Sequence, residues 1–131
     1  MSSDALNLIK KAMDEMELKY GFMEYVPDSG ETLPATYFIG EYQELEPEGE
    51  SGEETSIFIL TGFSRETWGA LECVKERIRK YFPAIDGRRR KTEAGAVVAV
   101  FYENSFPVLV EDEELKRMQI NLKVKEWKVE T

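Results

Sequence analysis

The chain contains no histidine. That excludes His-based catalytic triads, histidine general bases and histidine–metal sites. There is one cysteine, Cys73, so no internal disulfide forms and nothing implies an oxidising compartment. It falls in a helical stretch beside the apolar face and reads as a small, half-buried side chain rather than a reactive thiol. No apolar run approaches the ~20 residues of a membrane span, and the polar N-terminus lacks a signal-peptide pattern. The expectation is a soluble intracellular protein with no membrane partner. Glycine-rich phosphate loops and EF-hand spacing are also missing. Positive charge is in deficit: 17 Lys and Arg stand against 26 Asp and Glu, a net −9. Binding to duplex DNA is driven by cations that displace counterions, so this balance argues against wrapping DNA. It suits solubility, or a surface past which DNA slides without sticking. The many carboxylates sit in solvated runs, without the contrast of environments that a working acid–base pair needs. The reading is a non-enzyme with no catalytic residues, no cofactor and no metal.

What is present is one domain's worth of chain, 131 residues, enough to bury a core. It is organised around residues 55–82. Thr55-Ser56-Ile57-Phe58-Ile59-Leu60-Thr61-Gly62-Phe63 is a dense β-branched and aromatic run, expected as a strand covered on both faces. A helix follows, with Leu71, Val74, Ile78 and Tyr81/Phe82 on one face. Thr67 or Ser64 caps its start and Pro83 stops its end.

Upstream, Leu6, Ile9, Met13 and Met16 define an amphipathic helix over about residues 5–19, capped by Ser3 or Asp4 and ended by Gly21. Residues 22–26 form a short strand before the turn Pro27-Asp28-Ser29-Gly30, and residues 35–42 form another. Residues 44–54 are nearly all acidic or turn-forming and include Glu46, Glu48, Glu50, Glu53 and Glu54. They predict a long, mobile hairpin loop, either merely solvated or ordering against a basic partner.

Arg88-Arg89-Arg90-Lys91 is the one basic cluster. Three readings are open: a solvated loop, a phosphate-binding patch, or a salt contact between copies of the chain. Residues 95–102 read as a strand, Asn104-Ser105 interrupts it, and residues 106–110 are extended. In the last strand Met118, Ile120, Leu122 and Val124 face one way, with Gln119, Asn121, Lys123 and Lys125 facing the other. The phase then flips, with Trp127 and Val129 apolar, which predicts a bulge near Lys125-Glu126. Trp127 becomes either an interface anchor or part of a second small core cluster. The expected fold is α+β: a mixed or antiparallel sheet of four to six strands with two helices packed on one side.

The order of these elements resembles the tail-terminator and tail-completion proteins of long-tailed bacteriophages, the group of the minor tail protein U of phage lambda. The features that carry the resemblance are an N-terminal helix, a strand entered through Leu33-Pro34-Ala35 and an acidic hairpin loop. After these come the apolar strand Ile57 to Leu60, the helix over residues 67–82, the strand over 97–102 and a long alternating strand over 118–129. Residues 104–114 and the Arg88 to Lys91 cluster have no aligned counterpart. The resemblance implies a structural virion protein, made in the host cytoplasm and placed in the virion tail. It implies self-association into a hexameric ring at the head-proximal end of the tail tube. There the ring stops polymerisation and meets the tail tube protein and the head connector or completion protein, with DNA only passing through. On that reading the acidic loop, Arg88 to Lys91 and Trp127 are interface residues. Three alternatives stand beside it: a head–tail connector of similar fold, a small nucleic-acid-binding regulator using Arg88 to Lys91, and a bacterial adaptor domain.

Overall fold

The computed structural model describes residues 1–46, 53–93, 95–112 and 114–127. In chain order the elements are α1 (Ser3–Glu15), β1 (Tyr20–Phe22), β2 (Thr36–Glu44), β3 (Glu53–Ser64), α2 (Trp68–Tyr81), β4 (Arg88–Lys91), β5 (Val97–Val108) and β6 (Lys116–Trp127). The strands form one mixed sheet in the order β1-β2-β3-β6-β5-β4, curled into a half-barrel. Every pairing is antiparallel except β1 with β2. The class is α+β, as the sequence predicts.

The two long strands at the middle, β3 and β6, explain the core. Successive side chains of a strand alternate between faces. Phe58 and Leu60 of β3 and Met118, Ile120, Leu122 and Val124 of β6 all point to one face, where they are fully buried. Ala5, Ile9, Ala12 and Met13 of α1 and Leu71 and Ile78 of α2 complete a single core with them. Truncating a buried aromatic such as Phe58 to Ala in a core of this kind costs about 3–5 kcal/mol. The opposite sheet face has no helix among the described residues. Ile57, Ile59 and Phe63 lie there only half-buried, so β3 is covered on one face and not on both. The dense apolar run hid the alternation because its open-face positions are apolar too.

Both helix starts are capped by hydroxyls. Ser2, rather than Ser3 or Asp4, accepts the Ala5 amide at 3.2 Å, and Thr67 accepts the Ala70 amide at 3.2 Å. α1 stops at Glu15, before Gly21, because Glu17 turns the chain with φ 57°. Gly21 belongs to β1, where a Cβ would fall 2.0 Å from the Glu24 carbonyl oxygen. That close approach is what demands glycine, and the strand ends at Phe22 instead of running on to Val26. Cys73 lies on the solvent side of α2 and is exposed.

The expected bulge at Lys125-Glu126 does not exist. β6 pairs without a break through Trp127 on both sides. The phase flip has another cause: Glu126 stays in phase with Val124, faces the helices and is 4% exposed. Its carboxylate accepts the Ser2 amide at 3.2 Å and the Ser2 hydroxyl, at the α1 N-terminus. Free amides and the helix dipole there favour a negative charge. The bulge that is present lies in β5, where Glu103 is the extra residue between Tyr102 and Asn104. It merges the two extended stretches around Asn104-Ser105 into one strand.

Candidate functional site

β4 pairs with β5 on one side and forms one edge of the sheet. Arg88, Arg89, Arg90 and Lys91 are therefore an exposed edge strand and not a loop. Proline and charge are the usual ways to keep an edge from pairing with its own kind. Arg88 and Arg90 point to the helix side, in line with Val100 and Val98, and Arg89 and Lys91 point to the open side. The Arg88 guanidinium stacks 3.7 Å from the centre of the Tyr81 ring and lies 4.0 Å from Glu15. The Tyr81 hydroxyl donates to the same Glu15 carboxylate. Burial and that bond push the Tyr81 phenol up from its ordinary value. Between α1, the end of α2 and β4 runs a shallow groove of about 620 Å³, walled by Lys11, Lys80, Arg88 and Arg90 with Glu15 among them.

The other edge is built differently. Among the described residues β1 accompanies β2 only from Phe38 to Gly40, so beyond Gly40 β2 is the border of the sheet they form. The chain there is acidic. Glu41 and Glu46 are exposed, and Glu44 carries an ion pair with the N-terminal ammonium of Met1. Glu53 opens β3 and is 3.1 Å from Lys125, while Glu54 follows on the helix side. The expected hairpin loop thus contracts: Glu44 closes β2, and Glu53 and Glu54 already belong to β3. Glu48 and Glu50 lie outside the described residues.

Cross-strand register links the two edges. Arg88 pairs with Val100, Val100 with Val124, Val124 with Ser56 and Ser56 with Glu44. One row of the sheet therefore runs from Arg88 at the basic edge to Glu44 at the acidic edge. A second row joins Lys91, Val97, Trp127 and Glu53. Within one molecule these charges belong to different edges, because four strand spacings of ~4.8 Å, roughly 19 Å measured along the curled sheet, lie between β4 and β2. Trp127 is half-buried on the open face, between Val97 and Glu53, away from the helix-side core.

The open face carries half-exposed apolar groups in contact. Tyr37 and Phe63 stack with ring centres 5.2 Å apart, and Tyr25 lies 5.4 Å from Tyr37. Beside them runs an amide ladder: Asn121 donates to Asn104 at 2.7 Å and Gln119 to Asn121 at 3.0 Å. Among the described residues no cluster of three or more Cys, Asp or Glu is placed to hold a metal ion. Among the same residues no helix is long and apolar enough to cross a membrane. The arrangement offers surfaces for association: two charged strand edges and one broad, half-apolar sheet face. No protein-family model, curated protein or solved structure matches the chain.

Proposed function

We propose that this chain is a structural subunit of a bacteriophage tail, a terminator-like ring that caps the head-proximal end of the tail tube and helps join tail to head. It works by association, with no bond made or broken. The observation that carries the reading is the pair of sheet edges with opposite charge at one level of the sheet. Identical copies related by rotation about an axis along the strands present the basic edge of each to the acidic edge of the next. Such a head-to-tail contact is heterologous, and closes into a ring when the rotation permits. The charges fix register and exclude wrong partners more than they add affinity. The net −9, repeated around a channel, keeps passing DNA from adhering. The partners on this reading are the chain itself, as a hexamer, the tail tube protein and a head connector or completion protein.

The test is assembly. Negative-stain electron microscopy and light scattering of the purified protein should find rings, and the protein should limit tube length when added to polymerising tail tube protein. A protein that stays monomeric at high concentration and leaves tube length unchanged overturns the reading. A connector at a neighbouring position in the virion would form rings yet leave tube length unaltered. The basic groove beside Tyr81 favours one reading of a different class, a small regulator gripping nucleic-acid phosphates. Retention on heparin, lost as salt rises from 50 to 200 mM and lost in Arg88→Ser/Arg90→Ser, would select it over the ring.

A further inference from the structure

We propose that neighbouring copies join by parallel strand addition, with β4 of one chain extending the sheet of the next along β2 beyond Gly40. This rests on the ring reading and names the contact that closes it. Four independent features of the sheet agree on it.

The first is backbone polarity. The Thr92 amide donates to the Ala96 carbonyl, so in the β4–β5 ladder the even residues bond inward and the amides and carbonyls of Arg89 and Lys91 point off the edge. On β2, the Phe38 amide donates to the Lys19 carbonyl, and the Gly40 carbonyl accepts from the Met23 amide. The same alternation turns the Tyr42 amide and carbonyl outward, past the end of β1.

The second is direction. β2 and β4 are separated by four pairings, all antiparallel, so they run the same way. Rotation about an axis along the strands preserves direction, and the new pairing is parallel, like that of β1 with β2.

The third is level. Without any shift along the strands, Arg88 meets Glu44 of the neighbour, in the shared row traced above. The Leu45 amide donates to the Thr55 carbonyl at 3.0 Å, which carries the ladder one residue past β2; on the proposed pairing the next residue, Glu46, follows opposite Arg90. Arg89 then stands opposite Leu45. Face parity is kept: Arg88 and Arg90 lie on the helix side, as does Glu44, so cation stands beside carboxylate there.

The fourth is exclusion. Two β4 edges would set four cations against four, and two acidic edges would repel alike, so two-fold pairing of like edges is disfavoured. Only the unlike edges match.

The test uses cysteines in a Cys73→Ser background. In a parallel pair, directly aligned residues lie about 4.8 Å apart, within reach of a disulfide. Leu45→Cys with Arg89→Cys should give, on mild oxidation, a ladder of covalent multimers in non-reducing electrophoresis. Either single variant should stop at dimers, and Gln43→Cys with Arg89→Cys, two residues out of register, should cross-link several-fold less. In parallel, Arg88→Glu/Arg90→Glu should abolish assembly, with circular dichroism showing a folded chain. Adding Glu44→Arg/Glu46→Arg to the same chain should restore it. If rings form without cross-linking and the swapped chain stays monomeric, the edge contact is wrong while the ring stands. If the wild-type chain never assembles, the ring reading falls and the edge contact with it.

Discussion

Glu126 is the side chain most worth perturbing. It is a carboxylate 4% exposed beneath a helix start, and its partners are the amide and the hydroxyl of Ser2. The Ser2 hydroxyl in turn accepts the Ala5 amide, so three groups act as one cap. Hydrogen bonds to a charged group contribute about 1.5–3 kcal/mol each when buried. Ser2 as a residue is only half-buried, so its bonds sit at the low end of that range. Glu126→Gln keeps the shape and one acceptor but removes the charge that answers the helix dipole, an effect of about 1–2 kcal/mol. Glu126→Leu removes both acceptors and should cost about 2–4 kcal/mol, despite the lower desolvation cost of a neutral side chain. Ser2→Ala alone loses the cap, about 1 kcal/mol. Because the two residues share a bond, the double variant Ser2→Ala/Glu126→Gln should fall short of the sum by about 1 kcal/mol. Urea unfolding followed by far-UV circular dichroism measures all four chains, and an unchanged slope with a lower midpoint is the signature of lost stability. Additivity within ~0.3 kcal/mol, or a Glu126→Leu protein as stable as wild type, would refute the shared cap.

Three further predictions concern two glycines and one phenol. A Cβ on Gly62 would fall 2.5 Å from Phe38 Cε1 and 3.2 Å from Leu71 Cδ2, both residues being fully buried. Gly62→Ala should therefore cost about 1–3 kcal/mol by overpacking, lowering the thermal midpoint by several degrees. Gly69→Ala in α2, whose nearest neighbour is 3.6 Å away, should instead raise stability by about 0.5–1 kcal/mol. Burial pushes the Tyr20 phenol up to about 12. The folded state thus holds a proton that the unfolded chain releases near pH 10, so this contribution is complete below pH 10 and is lost as pH rises towards 12. After a discount for its partial exposure, the loss is about 1–2 kcal/mol. The urea midpoint should fall more steeply between pH 10 and 12 in wild type than in Tyr20→Phe, and equal slopes would contradict it.

Local pattern settled a good deal of this molecule. The alternation from Met118 to Val124 sets the buried face of β6, because side chains on a strand have a period of two whatever surrounds them. The apolar spacing of Leu71 and Ile78, Thr67 ahead of them and Pro83 behind them delimit α2 for equally local reasons. What needed the folded chain were the features set by distant partners. Arg88 to Lys91 shows no alternation because an edge strand exposed on both faces has no inside to encode. Glu126 imitated a phase flip because its donors come from the start of the chain, at Ser2. The level match of Arg88 with Glu44 is a sum of four strand registers, each fixed by side chains packing across the sheet. No stretch of sequence holds that sum, so which charges share a level was decided by tertiary structure alone.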